Sequence, residues 1–174
     1  MGIALLVLGY LIYFMLTDYL TPYGRYNLPF VVFVIDTIDL FIHEGGHGVF
    51  GIFGEFIGFL GGSLMQVVIP LAAVIVFYKS EYRTLVFTLY WLGHNLINIS
   101  IYIGDAPYRK LRLISKHAIH DWGWICDKLG ITHYAESIGA VVLVLGGVAC
   151  VGALGIGIFS IYRDLVPLAS ARNN

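Results

Sequence analysis

The stretch that most constrains this chain is Phe41-Ile-His-Glu-Gly-Gly-His47, which sets ionisable groups inside an apolar run from Pro29 to Ile52. A run of that length can cross a bilayer as a helix. Helical geometry then projects His43 and His47, four residues apart, from one face. Two neutral imidazoles at that spacing can hold one Zn²⁺, and Glu44 between them can act as general base toward an activated water. Ionisable side chains at membrane depth are costly and mark function. The bland alternative is a polar cluster that satisfies itself between helices without a metal.

The surroundings of the motif repeat its character. The chain is 59% hydrophobic and 12% charged, where a soluble domain is nearer a quarter charged. This predicts an all-α, polytopic membrane helix bundle of about five spans, forming one integral-membrane domain over residues 1–174. The lipid bilayer is the implied environment. A net charge of −1 gives no footprint for nucleic acid. Cys126 and Cys150 fit no ligand spacing, and Cys150 reads as a small packing residue.

Ile3–Leu20 is the first expected span, read as a retained helix because no basic n-region or small-residue cleavage site accompanies it. Thr21–Asn27 reads as a turn with interfacial aromatics. In the second span, Pro29–Ile52, Asp36 and Asp39 share the face of His43; either carboxylate could fix a histidine tautomer, or both could face a water-filled cavity. The glycine-rich stretch from Gly51 to Gly62 is too short to span and suggests a re-entrant segment or strand-like hairpin, with a plain turn as the alternative. Ser63–Tyr78 is the third span, expected to bend at Pro70, and Lys79–Arg83 a polar turn. Thr84–Gly104 is the fourth, with His94, Asn98 and Asp105 on one polar stripe. Between Ala106 and Thr132, Leu111, Ile114, Ala118, Trp122, Ile125 and Leu129 recur at helical spacing. This predicts a basic amphipathic helix on the membrane surface, with Ser115 as N-cap and Gly130 as stop. Tyr134–Tyr162 is the last span, its glycines suited to close helix packing.

Counting crossings brings the polar groups together. If the second, third and fourth spans all cross, Asp105 emerges on the face where His43 and His47 lie. A catalytic zinc takes three protein ligands and a water. Asp105 is the expected third ligand, with Asp121 the alternative and His117 and His120 as rivals. Gln66, Asn98 and His94 are candidate oxyanion or supporting groups, and Asp39 a candidate supporting carboxylate. The basic cluster Arg109–Lys116 puts the amino terminus and the site in the cytoplasm by the positive-inside rule.

On these residues the chain resembles the site-2 protease family of intramembrane zinc metalloproteases. The matching features are His43-Glu44-Gly-Gly-His47 within a span, Asn98 upstream of Asp105 near the end of a later span, and Gly61-Gly62-Ser63-Leu-Met-Gln66 with Pro70 beyond. The likeness covers roughly residues 29 to 125 and follows the small single-bundle members. It implies zinc held by His43, His47 and an aspartate, Glu44 as catalytic base, and hydrolysis of peptide bonds in transmembrane or membrane-edge substrates. The family's second motif usually reads Asp-Gly after an Asn-x-x-Pro; here it is Asp105-Ala106 without that proline. Three other classes compete: an inactive membrane scaffold that binds partner helices, a membrane di-iron oxidase, which commonly needs about eight histidines against the six present, and a metal transporter.

Overall fold

The computed structural model describes residues 2–21, 27–79, 82–113, 115 and 118–172. Among these residues the chain is all-helical, without strands. The six helices are α1 (Gly2–Leu16), α2 (Phe30–Phe50), α3 (Glu55–Phe77), α4 (Tyr82–Gly104), α5 (Asp121–Leu129) and α6 (Ala135–Arg172). One-turn 3₁₀ segments at Gly51–Phe53 and Thr132–Tyr134 precede α3 and α6. Glu55–Phe77 and Thr132–Leu165 are long and apolar enough to cross a membrane. Of the other expected spans, α1 has only 15 residues, and α2 carries Asp36, Asp39 and Glu44.

α2 and α3 form a tight antiparallel hairpin. The glycine-rich stretch is neither a hairpin of strands nor a separate re-entrant segment. Its first residues make the 3₁₀ turn, and Glu55 to Gly62 are the opening turns of α3, which continues through Pro70. Gly54, at φ 106°, makes the reversal that a side chain would strain. Gly46 and Gly61 bring the two helices into backbone contact: a Cβ on Gly61 would lie 2.7 Å from the Gly46 carbonyl oxygen, and one on Gly46 would overlap the Gly61 carbonyl. A Cβ on Gly62 would lie 2.5 Å from His43 Nε2. These glycines therefore leave α3 room to seat the motif histidines.

α4 packs along α6 through small residues. Gly93 faces Cys150 and the Gly146 carbonyl, and Gly139 faces the Ser100 carbonyl. Cys150 is buried and unbridged, the packing role its sequence context suggests. The apolar core joins α1, the start of α2, α4 and α6 through Leu8, Met15, Val32, Val86, Ile97 and Ala153.

The stretch after α4 departs from the expected amphipathic helix. Among its described residues only Asp121–Leu129 is α-helical. The Asp105 carboxylate accepts the Lys110 and Leu111 backbone N–H groups at 3.1 and 2.9 Å, and Arg109 takes φ 52°. Side-chain capture of backbone donors competes with helix formation and turns the chain away. Leu111 and Ala118 are consequently non-helical. Ile114, Lys116 and His117, the core of the Thr21–Asn27 turn, and part of the Lys79–Arg83 turn lie outside the described residues. The N-cap of α5 is His120, whose side chain accepts from the Gly123 N–H, instead of Ser115. Gly130 ends the helix at φ 68°, as its glycine predicts.

Candidate metal centre

His43 and His47 lie on the face of α2 that meets α3. His43 Nδ1 is 2.7 Å from Gln66 Oε1, and His47 Nδ1 is 2.8 Å from the Gly58 carbonyl oxygen. The Gly58 carbonyl can only accept, so His47 donates from Nδ1. The Gln66 amide points its nitrogen at Asn95 and Asn98, at 3.2 and 3.4 Å, so its oxygen accepts from His43 Nδ1. Hydrogen bonding thus assigns both rings the tautomer with the proton on Nδ1. Each Nε2 lone pair is left facing the interior.

Both Nε2 atoms face the same oxygen, Asp121 Oδ2, at 3.0 Å from His43 and 3.4 Å from His47. Three acceptors converge with no ring proton left to share. One ligand atom from each residue lies within 4.8 Å of the other two, making this the one group of at least three such side chains that can hold a metal among the described residues. Ligands at ~2.0–2.1 Å from a tetrahedral ion sit roughly 3.3 Å apart, close to the observed separations. The donor set fits a metal ion, and two ring N–H groups already tied to oxygens are the usual support for histidine ligands.

Asp121 takes the place expected of Asp105. The Asp105 carboxylate is occupied by the two backbone N–H groups noted above and by His120 Nε2 at 3.1 Å. His120 then accepts the Gly123 N–H at Nδ1, 3.0 Å away, capping the helix that begins with Asp121. Asp105 therefore stands one residue behind Asp121, fixing the helix that carries it. Two further contacts dock α5 on α3: Trp122 Nε1 donates to Ser63 Oγ at 2.9 Å, and Trp124 stacks on Phe59 with centroids 4.3 Å apart. Tyr102, which sequence reasoning passed over, accepts the Asp121 backbone N–H and donates to Oδ2 at 3.3 Å. Its place on the Asn95–Asn98 stripe of α4 was the available signal. For Asp121 the signal was a polar cap followed by an acid in the first turn.

Burial raises the Asp121 carboxyl, but the facing His43 and His47 rings, wherever Nε2 takes up a proton in place of a metal, outweigh it and lower the value to about 2. Burial lowers His120 below its ordinary 6.5 against the opposing pull of Asp105, so it is neutral at neutral pH, as its acceptor role at Nδ1 requires.

The centre opens on a cavity of about 810 Å³, which Glu44, Gln66, Asn98 and Tyr102 also line. Glu44 is exposed within it. Asn98 donates one amide hydrogen to Tyr19 at 2.7 Å. Two expected supporting groups lie elsewhere. His94 is fully buried and bonds Asp36 at 2.7 Å instead of approaching the centre. Asp39 accepts from Trp91 Nε1 at 2.8 Å, and Gln66 fills the tautomer-fixing role that Asp36 or Asp39 was expected to play. Compared with protein-family models, curated proteins and solved structures, the chain finds a match in none of the three.

Proposed function

We propose that this protein is an intramembrane zinc metallopeptidase of the site-2 protease type, with His43, His47 and Asp121 as metal ligands and Glu44 as general base. The observation that carries the reading is the convergence of two Nε2 lone pairs and one carboxylate oxygen beside an exposed glutamate at the wall of a large cavity. Two imidazoles and one carboxylate, with a further position left open, match the donor set of catalytic zinc. When bound, the metal supplies a Lewis acid and lowers the pKa of water to ~7.

The chain's own groups do the rest. Glu44 takes a proton from the attacking water and delivers it to the leaving nitrogen. The second amide hydrogen of Asn98, unused among the described hydrogen bonds, is the donor available to the developing oxyanion. Gln66 spends both hydrogens on Asn95 and Asn98 and keeps His43 oriented. A helical substrate must unwind locally before its carbonyl is free to react.

A membrane setting is supported by inverted surface chemistry. Ile3 (81% exposed), Phe30 (78%) and Phe41 (72%) face outward, while His94 and Asn95 are wholly enclosed. We read α1 to α4 and α6 as the crossing helices of a multi-pass bundle, with the metal centre on the cytoplasmic side. The test is cleavage of transmembrane peptides in liposomes by zinc-loaded protein. Wild type should cleave, and Glu44→Gln should lose about 10²–10⁴-fold in rate. Equal rates in both would overturn the base assignment.

A further inference from the structure

Away from the metal centre the cavity runs along α2 to a polar cluster that the proposed hydrolysis leaves unused. Asp36 and Asp39 both line it. Asp36 Oδ1 accepts from Tyr19 at 3.0 Å and meets His94 Nε2 at 2.7 Å. Its Oδ2 receives no hydrogen bond among the described residues, and the side chain is 24% exposed, enough to be reached from the cavity. The Asp39 side chain is 2% exposed. Its Oδ1 is taken by Trp91, while Oδ2, 3.9 Å from His94 Nε2, has no hydrogen-bond partner. A buried acceptor left this way carries its desolvation uncompensated. Two carboxylates therefore share one imidazole, and the missing element is positive charge. The rest of the wall has the same sign: Glu44 and Glu55 line it, with Arg112 the only Lys or Arg among its described lining residues.

We propose that this end of the cavity is a subsite for a cationic side chain, Lys or Arg, of the polypeptide that is cleaved. The inference rests on the peptidase reading above and names its substrate class. Asp36 Oδ2 is the direct acceptor, and Asp39 adds negative charge behind it. A charge-assisted hydrogen bond to Asp36 offsets the cost of carrying an ammonium or guanidinium group to membrane depth. Asp36 precedes His43 by seven residues on the same face, which at 1.5 Å per residue is about 10 Å. An extended chain advances ~3.3 Å per residue, so the basic residue sits about three residues from the bond that breaks.

The experiment pairs cleavage with direct binding. Transmembrane peptides carrying one Arg, Met or Glu, scanned over three residues on either side of the cleaved bond, are presented to wild type, Asp36→Asn and Asp36→Glu. Asparagine retains an acceptor for Tyr19 and His94, and glutamate restores the charge. In parallel, N-acetyl-arginine amide and N-acetyl-norleucine amide are titrated into the detergent-solubilised proteins at fixed salt. The expected result is a kcat/KM preference for Arg over Met of about tenfold or more, lost in Asp36→Asn, partly restored in Asp36→Glu, and mirrored in binding of the arginine probe. Asp36-dependent probe binding with no peptide cleaved would contradict the peptidase reading and leave the subsite standing. Cleavage without an Arg preference, or arginine binding equal in wild type and Asp36→Asn, would overturn the subsite. Absence of both cleavage and arginine binding would overturn it as well.

Discussion

At the scale of single residues, the centre depends on which carboxylate reaches the histidines. Crossing counts put Asp105 and Asp121 on the same side of the molecule, and counting resolves no finer than that. The deciding facts are short-range: Asp105 is claimed by two backbone N–H groups and His120, whereas Asp121 begins a helix aimed at His43 and His47. The two aspartates should therefore fail differently. Asp121→Ala should abolish metal binding. Asp105→Ala should weaken it by about 10–100-fold, as loss of a supporting partner does, measured by competition with a chromophoric chelator. Acid should also act with a definite sign. His120 has a folded-state value below its ordinary 6.5, so the unfolded chain binds the proton first and stability falls as pH drops through and below 6.5. Asp121, lowered from 3.8 to about 2, adds stability that is complete above 3.8 and lost as pH falls toward 2. Thermal unfolding of the metal-free protein between pH 7.5 and 5 checks the first effect, and His120→Asn should flatten that slope.

At the scale of elements, the α2–α3 hairpin holds the histidines in place. The H-E-x-x-H spacing reads directly as a helical face, and α2 and α4 form close to where their apolar runs predict. The glycines were harder to read. Gly51 to Gly62 looks irregular by composition, yet Gly58, Gly61 and Gly62 belong to a helix whose missing side chains admit Gly51, Gly46 and His43. A propensity argument sees glycine as a helix breaker; only the partner helix shows what its absent Cβ makes room for. The surface helix departs from its periodicity for a related reason. Leu111 and Ala118 follow a helical period, but Asp105 captures the backbone there, a contact that helical periodicity does not register. Gly62→Ala should displace the His43 ring and reduce metal affinity while the fold survives, with an overpacking cost of about 1–3 kcal/mol. Gly147→Ala, where a Cβ meets nothing closer than 3.9 Å, is the matched control and should change neither. Chelator competition and thermal unfolding on both variants check this.

At the scale of the whole molecule, polar groups are gathered inside and apolar side chains turned outward, an arrangement that suits a lipid surround. The composition points to that setting, and Glu55–Phe77 and Thr132–Leu165 are long and apolar enough for it. It does not tell which apolar run meets which, because lipid-facing and helix-facing residues are equally hydrophobic. The α4–α6 pairing, for instance, rests on Gly93, Gly139 and Gly146. In a membrane fraction the protein should resist alkaline carbonate extraction, and release by that treatment would contradict the multi-pass reading. The central claim is that His43, His47 and Asp121 together hold one metal ion, and elemental mass spectrometry of the purified protein tests it most directly. The account predicts about one zinc per chain in wild type and in Glu44→Gln, none in His43→Ala or Asp121→Ala, and a weakened but recoverable complement in Asp105→Ala. A folded, zinc-supplied wild type without metal, or an Asp121→Ala variant that keeps a full complement, would contradict it.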